Sequence, residues 1–130
     1  MTLTRTQAAR TLGAIRLVNG AAALLTPRLM ARTLRVDPDK HAPMIYFMKM
    51  FGIRTVVIGV QLLTAEREEL QRAMRIGILI HASDTIAAAV AGITGRLPKR
   101  AATTGTVISM INTALAVYGS GVIAHELQHD

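Results

Sequence analysis

From Ala101 to His125 the stretch AATTGTVISMINTALAVYGSGVIAH holds no Asp, Glu, Lys or Arg. A helix that spans a bilayer needs about 20 predominantly apolar residues in a row. A soluble domain carries roughly one charged residue in four, so a run of this length is out of character for one. This segment makes an integral membrane protein the leading reading.

The rest of the 130-residue chain agrees, because its charges sit between apolar stretches rather than on alternate helix faces. Four apolar segments emerge, at residues 7–26, 43–64, 73–95 and 101–124, separated by proline, glycine or charge clusters. After Pro27, PRLMARTLRV alternates Leu29, Met30, Leu34 and Val36 with Arg28, Arg32 and Arg35, the pattern of a short interfacial amphipathic helix. VDPDKHAP and RLPKR read as turns, and AEREELQR as a polar connector that extends helically. No strand-like alternation or low-complexity segment occurs. The expected fold is all-α: a four-helix transmembrane bundle, up-down-up-down, forming a single domain over residues 1–130.

Arg5 and Arg10 ahead of an apolar stretch resemble the start of a signal peptide, but Arg16 interrupts the would-be apolar region, so the segment reads as the first helix of the mature chain. With no cysteine, disulfides and thiolate metal sites are excluded. The net charge of +7 resides in helix ends and short loops, without a nucleic-acid-binding module. It suits contact with a lipid bilayer, and nucleic acid is not an expected partner. Arg28, Arg32, Arg35, Lys40, Arg96, Lys99 and Arg100 fall in the first and third connectors. Arg5, Arg10, Arg67, Arg72 and Arg75 fall on the other side, beside Glu66, Glu68 and Glu69. Lys and Arg favour the cytoplasm, which places the protein in the cell membrane with both termini outside. Aromatic content argues the other way: interface belts use Trp and Tyr, and the chain has 0 Trp and 2 Tyr. A soluble helical bundle is therefore the alternative fold.

Polar residues recur inside the apolar segments at helical spacing. Gly77, His81, Asp84, Ala88, Ala91 and Gly95 form one stripe of the third helix, and Gly105, Ser109, Asn112, Ala116 and Gly119 one of the fourth. In the first, Gly13, Arg16, Gly20 and Ala23 share a face with Asn19 at its edge; in the second, Arg54 and Gln61 lie on one side. Small residues let membrane helices approach closely, and polar ones then bond across the interface. These stripes should face inward. Counting outward from the connectors puts Arg16, Arg54, Asp84 and Asn112 near one depth, with Asn19, Gln61 and His81 within about two turns. A charge at the bilayer centre costs several kcal/mol or more unless paired. Asp84 should therefore pair with Arg54, or bridge Arg54 and Arg16, leaving positive charge in excess. The layer serves either as a structural register device or as a site for a carboxylate, phosphate or other anionic or lipidic ligand.

The tail HELQH matches the zinc motif H-E-x-x-H, with His125 and His129 as ligands and Glu126 as base. It stops one residue short of the C-terminal Asp130, and a catalytic zinc needs a third ligand and a sheltered cleft. A solvated helix end is the simpler reading, and no metal or cofactor is expected. No nucleophile elbow, phosphate-binding glycine loop or catalytic carboxylate pair occurs either.

RLVNGAAALLTPRLMARTLRVDP followed by MKMFGIRTVVIGVQLL, with a lone Asp in the third helix, resembles small four-helix membrane proteins common in actinobacteria and similar to DoxX-like proteins. The resemblance is carried by Arg16, Pro27, Phe51–Arg54, Gly59 and Asp84. It implies four membrane helices and brings no catalytic role. By analogy with other small polytopic proteins, the first expectation for function is an accessory or interaction subunit of a membrane complex, or a small homo-oligomer. A binding or carrier protein using Arg16, Arg54 and Asp84 is the second, and a membrane enzyme the third, with the balance against an enzyme.

Overall fold

The structure, a computed structural model, describes residues 2–121; His125, Glu126 and His129 of the H-E-x-x-H stretch lie outside the described residues. Among the described residues there are five helices and no strand: α1 (Arg5–Leu25), α2 (Pro27–Thr33), α3 (Ala42–Thr64), α4 (Arg67–Ile93) and α5 (Lys99–Ser120). α1 opens with a reciprocal cap, in which Thr4 Oγ1 accepts from Gln7 N–H and Gln7 Oε1 accepts from Thr4 N–H. It ends at Leu25 because Pro27, lacking an N–H, starts the next helix instead. α2 closes when Val36 N–H bonds to Ala31 O across Arg35, which takes the left-handed conformation at φ 60°. The same closure ends α4, where Arg96 N–H reaches Ala91 O across Gly95 at φ 71°.

The polar stretch AEREELQR extends helically: only Ala65 and Glu66 stay outside a helix, and α4 begins at Arg67. Glu, Leu, Gln and Arg are good helix formers, and Glu68 and Glu69 occupy the first turn, where the helix dipole favours acid. The turn centre thus moves by about one helical turn from where the polar segment would put it.

Two helix pairs make up the body. α1 and α3 pack antiparallel with their backbones nearly touching. A Cβ added at Gly20 would stand 2.7 Å from Val56 N, and one at Gly52 2.8 Å from both Gly20 O and Leu24 N. Only glycine permits that approach. Arg10 Nη1 adds a bond to Leu62 O at 2.7 Å. α4 and α5 form the second pair, Gly77 facing Ala116 and Ala88 facing Gly105. α1 joins the pairs through α5: its start lies against Gly119, and Tyr118 Oη donates to Leu3 O. α3 and α4, consecutive in sequence, hardly touch beyond their turn. The body is open on that side.

One apolar cluster, with Leu12, Leu62, Leu70, Met74 and Ala116 in it, fills the end near the α3–α4 turn. A smaller one of Ala31, Val36 and Ala101, backed by Met44 and Met48, fills the end under α2. Between them lies the polar region.

Two helices are long and apolar enough to cross a membrane: Ala42–Thr64, with mean hydropathy 1.4, and Glu68–Ile93, with 1.7. α1 and α5 match them in length but not in apolarity. Arg5, Arg10 and Arg16 interrupt α1, while α5 is built largely of Ala, Thr, Gly and Ser. The uncharged run from Ala101 is helical through Ser120 but less oily than its lack of charge suggests.

Candidate functional site

Arg16, Asn19, Asp84 and Asn112 line a single cavity of about 300 Å³ in the open side of the body. Each is presented by a different turn of a small-residue face. Gly13, Gly20 and Ala23 share the buried side of α1 with Arg16. On α5, Asn112 lies among Ala116 and Gly119, all three buried. Met30 and Leu34 from α2 roof the cavity, Phe51 of α3 and Ala87 of α4 flank it, and Ile108 lies along its wall. The lining surface is mostly apolar, and Thr104 and Ser109 add hydroxyls to the polar groups of Arg16, Asn19, Asp84 and Asn112.

Arg16 is 3% exposed, and neither its Nε nor its Nη2 has a hydrogen-bond partner. These two nitrogens share one edge of the guanidinium and form the fork that grips a carboxylate or phosphate through two parallel bonds. Asn112, 2% exposed, likewise leaves its side-chain Oδ1 without a partner. Asp84 is the charge that attracts Arg16, and Arg54 the one that repels it. The cluster of two arginines and one aspartate carries one net positive charge.

Arg54 Nη2 stands 3.9 Å from Asp84 Oδ1, across the gap between α3 and α4. That is too long for a hydrogen bond, and the two side chains are 53% and 32% exposed. Arg54 reaches Asp84 by the length of its side chain, since the early start of α4 takes the two backbones off a common level. Phe51 binds the arginines together. The guanidinium carbons of Arg16 and Arg54 lie 5.9 and 5.8 Å from the centre of its ring, within cation–π range.

His81 and Asn112 stand level, each four residues inward from the facing pair Gly77 and Ala116. His81 is 1% exposed and sits against Gly77, outside the cavity lining, and its Nδ1 has no partner. Gln61 does not join the site. It is exposed, as is Arg54, and the buried side of α3 is instead Gly52, Thr55, Gly59 and Leu62. The expected inward face through Arg54 and Gln61 is corrected by glycine packing: the face that seats on α1 is the one whose backbone allows contact.

Two residues carry no role in the expected polar layer: Thr55, outside the cavity lining, and Phe51, within it. Thr55 is fully buried, with its Oγ1 unpartnered; the spacing of Gly52, Thr55, Gly59 and Leu62 was its signal. Phe51, beside Arg54 in FGIR, had no signal of its own. Among the described residues, no group of three His, Cys, Asp or Glu is placed to hold a metal ion. No family model matches the chain, and no curated protein or solved structure matches it.

Proposed function

We propose that this chain is a small multi-pass protein of the cell membrane, its four long helices crossing the bilayer, and that its cavity binds an anionic ligand through Arg16. The observation that carries the binding is the buried guanidinium edge with two unpartnered donors beside a cavity. Leaving such donors unmade costs about 1–3 kcal/mol each, more for charged groups, and an oxyanion would recover it. The excess positive charge selects for an anion over a neutral polar molecule.

Support for the membrane comes from an inside-out distribution of side chains. Of the largest fully buried side chains, Leu12 and Met74 are apolar and His81, Asn112, Thr55 and Ser120 polar, whereas Leu79, Ile86, Ile93, Phe47 and Val57 are between 62% and 86% exposed. In a soluble helix of such hydropathy these would form the core; here only 17% of the apolar window of α3 and 11% of that of α4 is buried. Hydroxyls on outer positions bond back to their own helix, Ser83 to Leu79 O and Thr94 to Val90 O. That is how a hydroxyl is satisfied where water is absent.

Purification in mild detergent from native membranes, followed by native mass spectrometry, tests the binding. Wild type should carry an anionic mass that Arg16→Met, matched in helical content, has lost. An identical bound mass on both proteins would refute it. Bare wild type that co-purifies with another membrane protein would instead favour an accessory subunit.

A further inference from the structure

We infer that the ligand is a single-chain amphiphile with a carboxylate or phosphate head, held head-in on Arg16 with its tail leaving sideways between α3 and α4. This rests on the reading of Arg16 as an anion site and adds the class of ligand and its route.

Size limits what the cavity can hold. Ligand cavities run from roughly 300 to 1,000 Å³, and this one, at about 300 Å³, is at the lower end. It has room for a head group and the first few methylenes, not for a complete lipid. A long chain must therefore leave the cavity.

Packing limits where a chain can leave. Toward the α3–α4 turn the body is filled by the cluster around Leu12, Leu62 and Met74. Toward α2 it is closed by Ala31, Val36 and Ala101, with Met44 and Met48 behind them. α1 is packed against α3 and α5, and α4 against α5. The gap between α3 and α4 is the remaining side, and these two helices carry exposed apolar side chains such as Val57 and Ile86. Both ends that lead to water are thus shut by apolar packing, and the open side leads to lipid.

The rim is chemically suited to this exit. Phe51 and Ala87 flank the gap and offer apolar surface to a chain. Arg54 and Asp84 meet across it at 3.9 Å without a hydrogen bond, so parting them breaks no hydrogen bond. Arg16 and Asn112 offer polar groups inside, and at the gap Phe51 and Ala87 add apolar surface beside the Arg54–Asp84 pair. A buried cationic group with apolar surface next to it matches an amphiphile and not a free inorganic anion.

The test uses the full chain in phosphatidylcholine nanodiscs, titrated with dodecyl phosphate, laurate, inorganic phosphate and acetate. Dodecyl phosphate or laurate should bind at least tenfold more tightly than its chainless counterpart, and Arg16→Met should lose at least tenfold. The better of the two chains identifies the head group. Equal affinity for chained and chainless anions overturns the amphiphile while sparing the anion site; no binding of any of the four overturns both. The chain has no cysteine, so Ala87→Cys can be labelled with a benzyl thiosulfonate to plug the gap. The label should weaken binding of the preferred amphiphile at least tenfold, and reductant should restore it in the same folded sample. Unchanged binding by the labelled protein overturns the sideways route.

Discussion

The guanidinium groups of Arg16 and Arg54, on different helices, address the same aromatic ring: their central carbons lie 5.9 and 5.8 Å from the centroid of Phe51. Two like charges are thereby held near each other in an apolar setting, with Asp84 as the one acidic partner. Removing Asp84 leaves both arginines uncompensated. Asp84→Leu should therefore destabilise the protein by about 1–3 kcal/mol, whereas Arg54→Leu combined with Asp84→Leu should cost clearly less than Asp84→Leu alone. Thermal unfolding in detergent, arranged as a double-mutant cycle, reads this non-additivity; additive losses would mean that the 3.9 Å contact carries no coupling.

Close backbone approach makes the second expectation. Gly52→Ala puts a Cβ 2.8 Å from the α1 backbone, while at Gly105 the nearest atom would be Ala88 Cβ at 3.5 Å, an ordinary contact. Helix propensity alone favours alanine at both by about 1 kcal/mol. Gly105→Ala should be neutral or stabilising, and Gly52→Ala destabilising by about 1–3 kcal/mol from overpacking, as read by melting temperature.

Arg35 sits in the left-handed region at φ 60° to close α2. A non-glycine residue is disfavoured there by about 1–2 kcal/mol. Arg35→Gly should raise the unfolding free energy by about 1 kcal/mol, and Arg35→Val should lower it; equal stability of the three proteins would remove the strain from the account.

The α2 turn also contains the protein's one short ion pair among the described residues, Arg28 Nη1 to Asp39 Oδ1 at 2.7 Å. The hydrogen bond from Arg28, then its charge, holds the Asp39 carboxyl below the usual range. A carboxyl depressed in the folded state stabilises that state above the ordinary aspartate value of about 3.9. The contribution disappears as pH falls through the folded value. Because the pair is exposed, the effect is small and salt-sensitive. Protection of the amides at residues 36–40, measured relative to their intrinsic exchange rates at each pH, should fall on acidification in wild type and respond less in Asp39→Asn.

Much of this arrangement was legible in the sequence. The faces of α1, α4 and α5 follow from glycine, alanine and a few polar residues at helical spacing, because small side chains and buried polar groups both seek the helix contact. α3 was misjudged because polarity and close packing point different ways on it. Arg54 and Gln61 draw the eye, yet Gly52, Thr55 and Gly59 make the contact with α1. The helical extension of AEREELQR follows from its good helix formers, whereas the place of the turn within it, at Ala65 and Glu66, has no local signal. The cavity itself was not legible, since it depends on α3 and α4 standing apart and on Phe51 reaching both arginines, tertiary facts with no local signature.

The proposed ligand bonds to the Nε–H and Nη2 edge of Arg16. Nitrogen-15 spectra of arginine-labelled protein in nanodiscs, with the Arg16 Nε–H signal identified by its loss in Arg16→Lys, read that edge directly. On titration with dodecyl phosphate or laurate, this signal should shift saturably as a charge-assisted bond forms, by more than the Nε–H of Arg54. An Arg16 signal that stays in place at saturating concentrations of both amphiphiles would contradict the proposed site.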